Sequence, residues 1–274
     1  MEIKAFKMDG LGNDFVIIDT RQKIINLTKE QIIKICDRNF IGCDQLIFIK
    51  KNQTSDAALE FYNSDGGVSG ACGNGTRCVA NLLSKESDKK EIILTTLSGD
   101  LKSQIIAEKL VSTEIGIART RWNEIPLSKD LDTNDLKIKL IDLNKNEFFG
   151  GTAVNVGNPH VIFFVDNNEN FEIKKIGPEI ENHSLFPEKC NVTLATIVNR
   201  ELINVRVWER GAGLTKACGT AACATAFAAK QNGLANDKVD IEFSTGRLSI
   251  SIDINNSIHM KGPVSDIKDI NFEI

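Results

Sequence analysis

Residues 71–83 read ACGNGTRCVANLL, and a near copy, ACGTAACATAFAA, returns at 217–229. Each stretch sets a Cys, Cys72 or Cys218, before a Gly and a small polar residue, Asn74 or Thr220, and ahead of a Pro-free run of small residues. The pattern predicts a helix opening at each Cys. Unpaired N–H groups and the positive end of the dipole favour an anion at such a place. A thiol there is pushed towards thiolate, and a substrate carboxylate can be held.

The repeat extends beyond the two helices. Cys72 and Cys218 are 146 positions apart, and on that spacing Asn63 falls on Glu209, Gln45 on Asn191 and Gly67 on Gly213. GNDFVIID, from Gly12, lies over GNPHVIFF, from Gly157, one position off that spacing, so Asn13 matches Asn158. A shared order of Gly-Asn turn, apolar strand, short helix, amide side chain, strand and Cys helix reads as an internal duplication.

At 274 residues the chain suits two domains with separate cores. The expected halves are 1–118, joined by a returning segment 264–274, and 119–263. A net charge of −4 gives no sign of a nucleic-acid partner, and no apolar run reaches the length of a membrane span. With no export signal, a cytoplasmic location is expected. Seven cysteines are an odd number, so a disulfide framework is not expected, and with no C-x-x-C and only three His a closed metal site is not expected either. Neither glycine-rich loop, NSDGGVSGACGNG or ERGAGLTKACG, fits a nucleotide cradle.

Strands are expected at IKAFKM, FVIID, LIFIK, ALEFY, EIILTTL, LKSQIIA and LVSTEIG, and a helix over 29–38 from the capping box of Thr28 and Gln31. RTRWNEIP, around 119–126, lacks periodicity and reads as the crossover. In the second half LKIKLID, GTAVNV, VIFFV, NVTLATI, LINVRVW, VDIEF, RLSISID and SIHMK read as strands, with a helix near 172–182. Strands joined by short turns predominate, so the fold class is α+β with mostly antiparallel sheet. The helix opening at Cys218 is apolar on every side, so a sheet should wrap it.

A single buried Cys is usually a small hydrophobe, and Cys36, Cys43, Cys78, Cys190 and Cys223 are assigned to packing. Duplication singles out Cys72 and Cys218. Around them stand Asn13, Gln45, Asn63, Asn158, Asn191, Glu209 and Arg210, each of which alone reads as a turn or cap residue. In repeat-related pairs they read as the lining of one polar cleft. Arg210 suits a carboxylate and Glu209 an ammonium, while His160 near a thiol would alter its pKa. Two thiols on opposite faces of a carbon centre suit inversion: one removes a proton and the other supplies one. Helix N-termini aimed at the adjoining carboxylate spread the carbanion's charge, and no cofactor is implied. A thiol redox or peroxide-sensing protein would also use low-pKa cysteines, but would not need so many repeat-placed polar residues.

GLGNDFVIID, GCDQL, NSDGG, ACGNGTRC, GNPH, CNV, ERGAG and ACGTAACA together resemble the diaminopimelate epimerase family along the whole chain. The resemblance implies two similar barrel-like domains, each around a central helix, and pyridoxal-phosphate-independent interconversion of LL- and meso-diaminopimelate in lysine and cell-wall precursor synthesis. It makes Cys72 and Cys218 the acid–base pair and the amides of Gly73, Asn74, Gly219 and Thr220 the carboxylate site. Asn13, Gln45, Asn63, Asn158, Asn191, Glu209 and Arg210 then contact the remaining groups, His160 and Glu209 modulate the thiols, and the protein is a homodimer. Gly67, Leu214 and Ala221 stand where the family commonly has Ser, Glu and Gly. Proline racemases, which share the fold and its two Cys, typically have His where Asn74 stands.

Overall fold

The computed structural model describes residues 1–274, which divide into Met1–Glu114 with Lys261–Ile274, and Ile115–Met260. The first half contains β1 (Glu2–Gly10), β2 (Asn13–Asp19), α1 (Lys29–Cys36), β3 (Gln45–Lys50), β4 (Ala57–Asn63), β5 (Val68–Ser69), α2 (Gly73–Ser87), β6 (Glu91–Thr96), β7 (Gly99–Ala107) and β8 (Leu110–Ile117). β1 pairs antiparallel with β2 and with the chain's last strand, Lys268–Glu273. β2 and β3 are parallel, β3–β4 and β4–β5 antiparallel, β4–β6 parallel, and β6–β7–β8 antiparallel.

Period-2 alternation in the central strands explains their uninterrupted apolar runs. Phe15, Ile17, Ile47 and Ile49 join a core with Val79, Leu82 and Leu83 of α2, while Val16, Ile18, Leu46 and Phe48 face Ile32 and Ile35 of α1. Helix α1 begins with the expected capping box, Thr28 Oγ1 accepting from Gln31 N and Gln31 Oε1 from Thr28 N. It stops at Cys36, two residues before the expected end, because Asp37 turns to an extended conformation. The Asp37 carboxylate then accepts from the backbone N–H of Asn39, closing a local turn.

The second half contains β9 (Ile138–Ile141), β10 (Glu147–Gly150), β11 (Thr152–Asn155), β12 (Pro159–Phe164), a 3-10 turn at Asn168–Asn170, α3 (Ile173–Glu181), β13 (Asn191–Asn199), β14 (Leu202–Glu209), β15 (Gly213–Thr215), α4 (Gly219–Gln231), β16 (Lys238–Phe243), β17 (Gly246–Ile252) and β18 (Ser257–Pro263). Its pairing repeats the first half step for step: β11–β12 antiparallel, β12–β13 parallel, β13–β14 and β14–β15 antiparallel, β14–β16 parallel, β16–β17 antiparallel. The register repeats as well. Leu46 opposes Tyr62 and Val192 opposes Trp208; Ala57 opposes Leu94 and Ile203 opposes Ile241.

The architecture is α+β in two duplicated parts, as expected, but the sheets do not close into barrels. α2 touches β1 and β2 near one end of its sheet's strand order and β6 and β7 towards the other, and α4 is likewise contacted by β11, β12, β13, β16 and β17. The sheets thus wrap their helices while remaining open. Four strands lie where none was expected: β10, ending at Gly150, β5 and β15, inside the two glycine-rich loops, and the last strand, Lys268–Glu273. The aperiodic crossover is no free linker, since Ile125 and Leu127 are buried in the second half's core beside α3. No helix is long and apolar enough to cross a membrane.

Candidate active site

Cys72 and Cys218 are the N-cap residues of α2 and α4. Their backbones match, with φ/ψ of −144/111 and −139/116, and neither helix start has a side-chain cap. The first intrahelical bonds run from Thr76 N to Cys72 O, 2.8 Å, and from Ala222 N to Cys218 O, 3.0 Å. The first-turn N–H groups, which include those of Gly73, Asn74, Gly219 and Thr220, lie ahead of those bonds and suit an anion.

In the first half, Cys72 is partly exposed and its thiol lies 3.7 Å from Asn13 Oδ1. The same oxygen accepts from Asn74 Nδ2 at 3.3 Å, and Asn13 Nδ2 donates to Asp44 Oδ2 at 2.9 Å. Arg38 in turn holds Asp44 and Asp14. Gln45 opposes Asn63 across β3 and β4, its Nε2 donating to Asn63 Oδ1 at 2.8 Å. Gln45 Oε1 is buried without a hydrogen-bond partner.

In the second half, Cys218 is buried, with Thr220 Oγ1 3.4 Å from its sulfur. Burial, followed by the charge of Glu209, raises its pKa well above that of an ordinary thiol. The expectation that a helix N-terminus pushes both thiols towards thiolate therefore fails for Cys218: desolvation outweighs the dipole. His160 is fully buried, and burial together with the nearby Arg210 charge lowers its pKa to about 3. It is a neutral imidazole, its Nε2 2.8 Å from Asn158 Oδ1 and its Nδ1 without a partner. Any effect it has on a thiol is therefore through dipole and hydrogen bond, not charge. Asn191 links two further elements, donating from Nδ2 to Pro159 O at 3.0 Å and accepting on Oδ1 from Arg210 N at 3.0 Å. The Arg210 side chain donates to Glu188 O and is exposed.

Asn13, Asn74 and Cys72 thus meet in the first half, with Gln45 and Asn63 paired on the neighbouring strands. Cys218, Glu209 and Thr220 meet in the second, beside the Asn191–Arg210 and His160–Asn158 pairs. Of the residues that depart from the resemblance, Gly67 accepts from Asn63 N, Leu214 is exposed in β15, and Ala221 is fully buried in α4.

Two supporting carboxylates were not singled out from the sequence. Asp44 orients Asn13. Glu181, at the end of α3, is buried and accepts from Trp208 Nε1 at 2.7 Å and Gly211 N at 3.1 Å, bracing the turn that carries Glu209 and Arg210. GCDQL contained Asp44, but nothing local marks Glu181, which folding brings to residues about thirty positions away.

In three dimensions the chain is similar to a PhzF-family phenazine biosynthesis protein from Bacillus anthracis, with TM-score 0.71, 16% identity and 100% of both chains covered. It is also similar to a hydroxyproline epimerase from Agrobacterium vitis, with TM-score 0.68 and 12% identity over 98% of this chain and 91% of that one. The fold is thus one that epimerases use. The sequence profile of the diaminopimelate epimerase family matches residues 5–120 and 152–267. A diaminopimelate epimerase of Pelagibacter ubique is 70% identical over 100% of both chains, and one of Phenylobacterium zucineum 44% identical over 94% of both. The chain belongs to the diaminopimelate epimerase family.

Proposed function

We propose that this chain interconverts LL-2,6-diaminopimelate and meso-diaminopimelate in the cytoplasm, for lysine and cell-wall precursor synthesis, with Cys72 and Cys218 as the base and acid at one α-carbon. The observation that carries this reading is the pair of cysteines at identically shaped starts of two buried helices. In the resting enzyme the buried Cys218, beside Glu209, is the protonated partner, and Cys72 is the base.

The Cys72 thiolate takes the α-proton, and the electron pair left on carbon moves into the adjoining carboxylate. First-turn N–H groups of Gly73, Asn74, Gly219 and Thr220 receive that charge. The Cys218 S–H then gives its proton to the opposite face, leaving a thiol at Cys72 and a thiolate at Cys218. The reverse reaction exchanges these roles, and no cofactor is needed. Asn13, Gln45, Asn63, Asn158, Asn191, Glu209 and Arg210 hold the other ammonium and carboxylate groups, Arg210 taking the distant carboxylate. His160 and Glu209 tune the thiols, and the working form is a homodimer.

Incubation with LL-diaminopimelate in D2O, followed by NMR, is expected to show deuterium at the α-carbon and appearance of the meso form, with proline unchanged. Absence of exchange into diaminopimelate would refute the reading.

A further inference from the structure

Arg77 heads the fully buried side chains by volume, a cation with no solvent exposure in the second turn of α2. Helical side chains lean towards the N-terminus, and Arg77 Nη2 accordingly reaches back to Asn74 Oδ1 at 3.0 Å. Its guanidinium lies against β1: a Cβ on Gly10 would sit 3.5 Å from Nη2 and 3.2 Å from the Asn74 Cβ. Glycine at that position leaves the space the pair occupies.

We propose that Arg77 is a positioning residue for Cys72, the head of a polar relay that runs Arg77, Asn74, Asn13, Asp44. The relay has an arginine, which only donates, at one end and a carboxylate, which only accepts, at the other. Asn74 must turn its oxygen to Arg77, so its Nδ2 faces Asn13 and Asn13 turns its oxygen inward, 3.3 Å away. Asp44 imposes the same orientation from the far end by accepting from Asn13 Nδ2. Both ends therefore place an acceptor, Asn13 Oδ1, at the Cys72 thiol, 3.7 Å from the sulfur.

The second half has no such relay. On the repeat spacing Arg77 falls on Cys223, Asn74 on Thr220 and Asp44 on Cys190, and the oxygen of Asn158 is taken by His160. The device belongs to one thiol of the pair, and it sets Cys72 apart from Cys218.

The inference rests on the two-thiol reading for its purpose, and its test does not need a substrate. The pH midpoint of Cys72 alkylation by iodoacetamide in the unliganded, full-length protein, followed by peptide mapping, reports the thiol directly. Arg77→Gln is expected to shift that midpoint by about half a pH unit or more, because a buried positive charge is lost and Asn74 and Asn13 are freed to turn. Asp44→Asn is expected to lower it, since a negative charge and the acceptor that fixes Asn13 both go. Arg77→Lys, still cationic and still only a donor, should stay within about 0.2 of the parental midpoint. A merely structural arginine would lower the melting temperature in both Arg77 variants and leave the midpoint where it was. Should Arg77→Gln not fold, Asp44→Asn decides alone. Unchanged midpoints in the variants that fold overturn the relay. If the midpoints move as expected while diaminopimelate is not turned over, the relay stands and the proposed function falls.

Discussion

The two halves share one topology and one register, yet they fill it differently. In the first, Phe15, Ile17, Ile47 and Ile49 meet a helix bearing Val79, Leu82 and Leu83. At the matching positions the second has His160, Ile162, Thr193 and Ala195, and a helix bearing Thr225, Ala228 and Ala229. Most of the large side chains on sheet and helix are replaced by small or polar ones, so at these positions the second half fills the same frame with less side-chain volume. The thiols differ in step: Cys72 is partly exposed and held by amides, while Cys218 is buried beside a carboxylate. Duplication supplied two equivalent frames. Unequal filling gave the two thiols different surroundings.

The largest effect should come from removing either thiol. Cys72→Ala and Cys218→Ala should each lower epimerase turnover by about 10²–10⁴-fold, measured by meso product formation, although only one of the two is buried. If either variant keeps most of its activity, the halves are not partners in one reaction.

Arg210 has no cationic counterpart, since Ser64 stands at its place in the first half. Arg210→Met is expected to weaken transition-state binding of diaminopimelate by about 2–5 kcal/mol in kcat/KM. Parental kcat/KM in that variant would remove Arg210 from the site.

A swap across the repeat tests the packing. A Cβ on Gly75 would lie 2.8 Å from Ile47 Cδ1 and 2.9 Å from Phe61 Cε1, whereas Ala221, its counterpart, is accommodated. Gly75→Ala should destabilise by about 1–3 kcal/mol through overpacking. Ala221→Gly should cost about 1 kcal/mol, from the helix preference for Ala. Urea melts of both would expose a reversed order.

A difference of similar size concerns pH. His160 is neutral when folded, with a pKa of about 3, and takes up a proton more readily when unfolded. Its contribution is intact above the unfolded value of about 6.5 and is lost as pH falls towards the folded one. His160→Phe, which copies Phe15, should remove on the order of 1–2 kcal/mol of the stability lost between pH 7 and 5. Thermal melts at the two pH values should show a smaller drop for the variant; an equal drop would mean His160 is not held neutral.

What could be read from the chain was local or periodic. The Cys helices, the Thr28–Gln31 box and the repeat follow from spacing, and the buried α4 follows from its lack of any polar face. The state of the Cys218 thiol is not legible at its helix start, because burial is a sum over an entire half. Openness of the sheets is a matter of pairing between distant strands. Arg77 lies inside ACGNGTRC, yet an arginine on a helix normally reads as a solvated face, and only the fold shows it enclosed.

The last strand carries a consequence for how the molecule is made. Lys268–Glu273 lies along β1 from Glu2 to Lys7, and Met1 and Ile274 exchange backbone hydrogen bonds. The second half is one continuous length of chain, whereas the first waits for a strand encoded after it. During synthesis, the part begun first should be the last to finish, with the row of N–H and C=O groups on β1 left open meanwhile. Such an edge invites mispairing. A nascent chain arrested before residue 268 should therefore protect the peptides of 115–260 from protease while leaving β1 open to it.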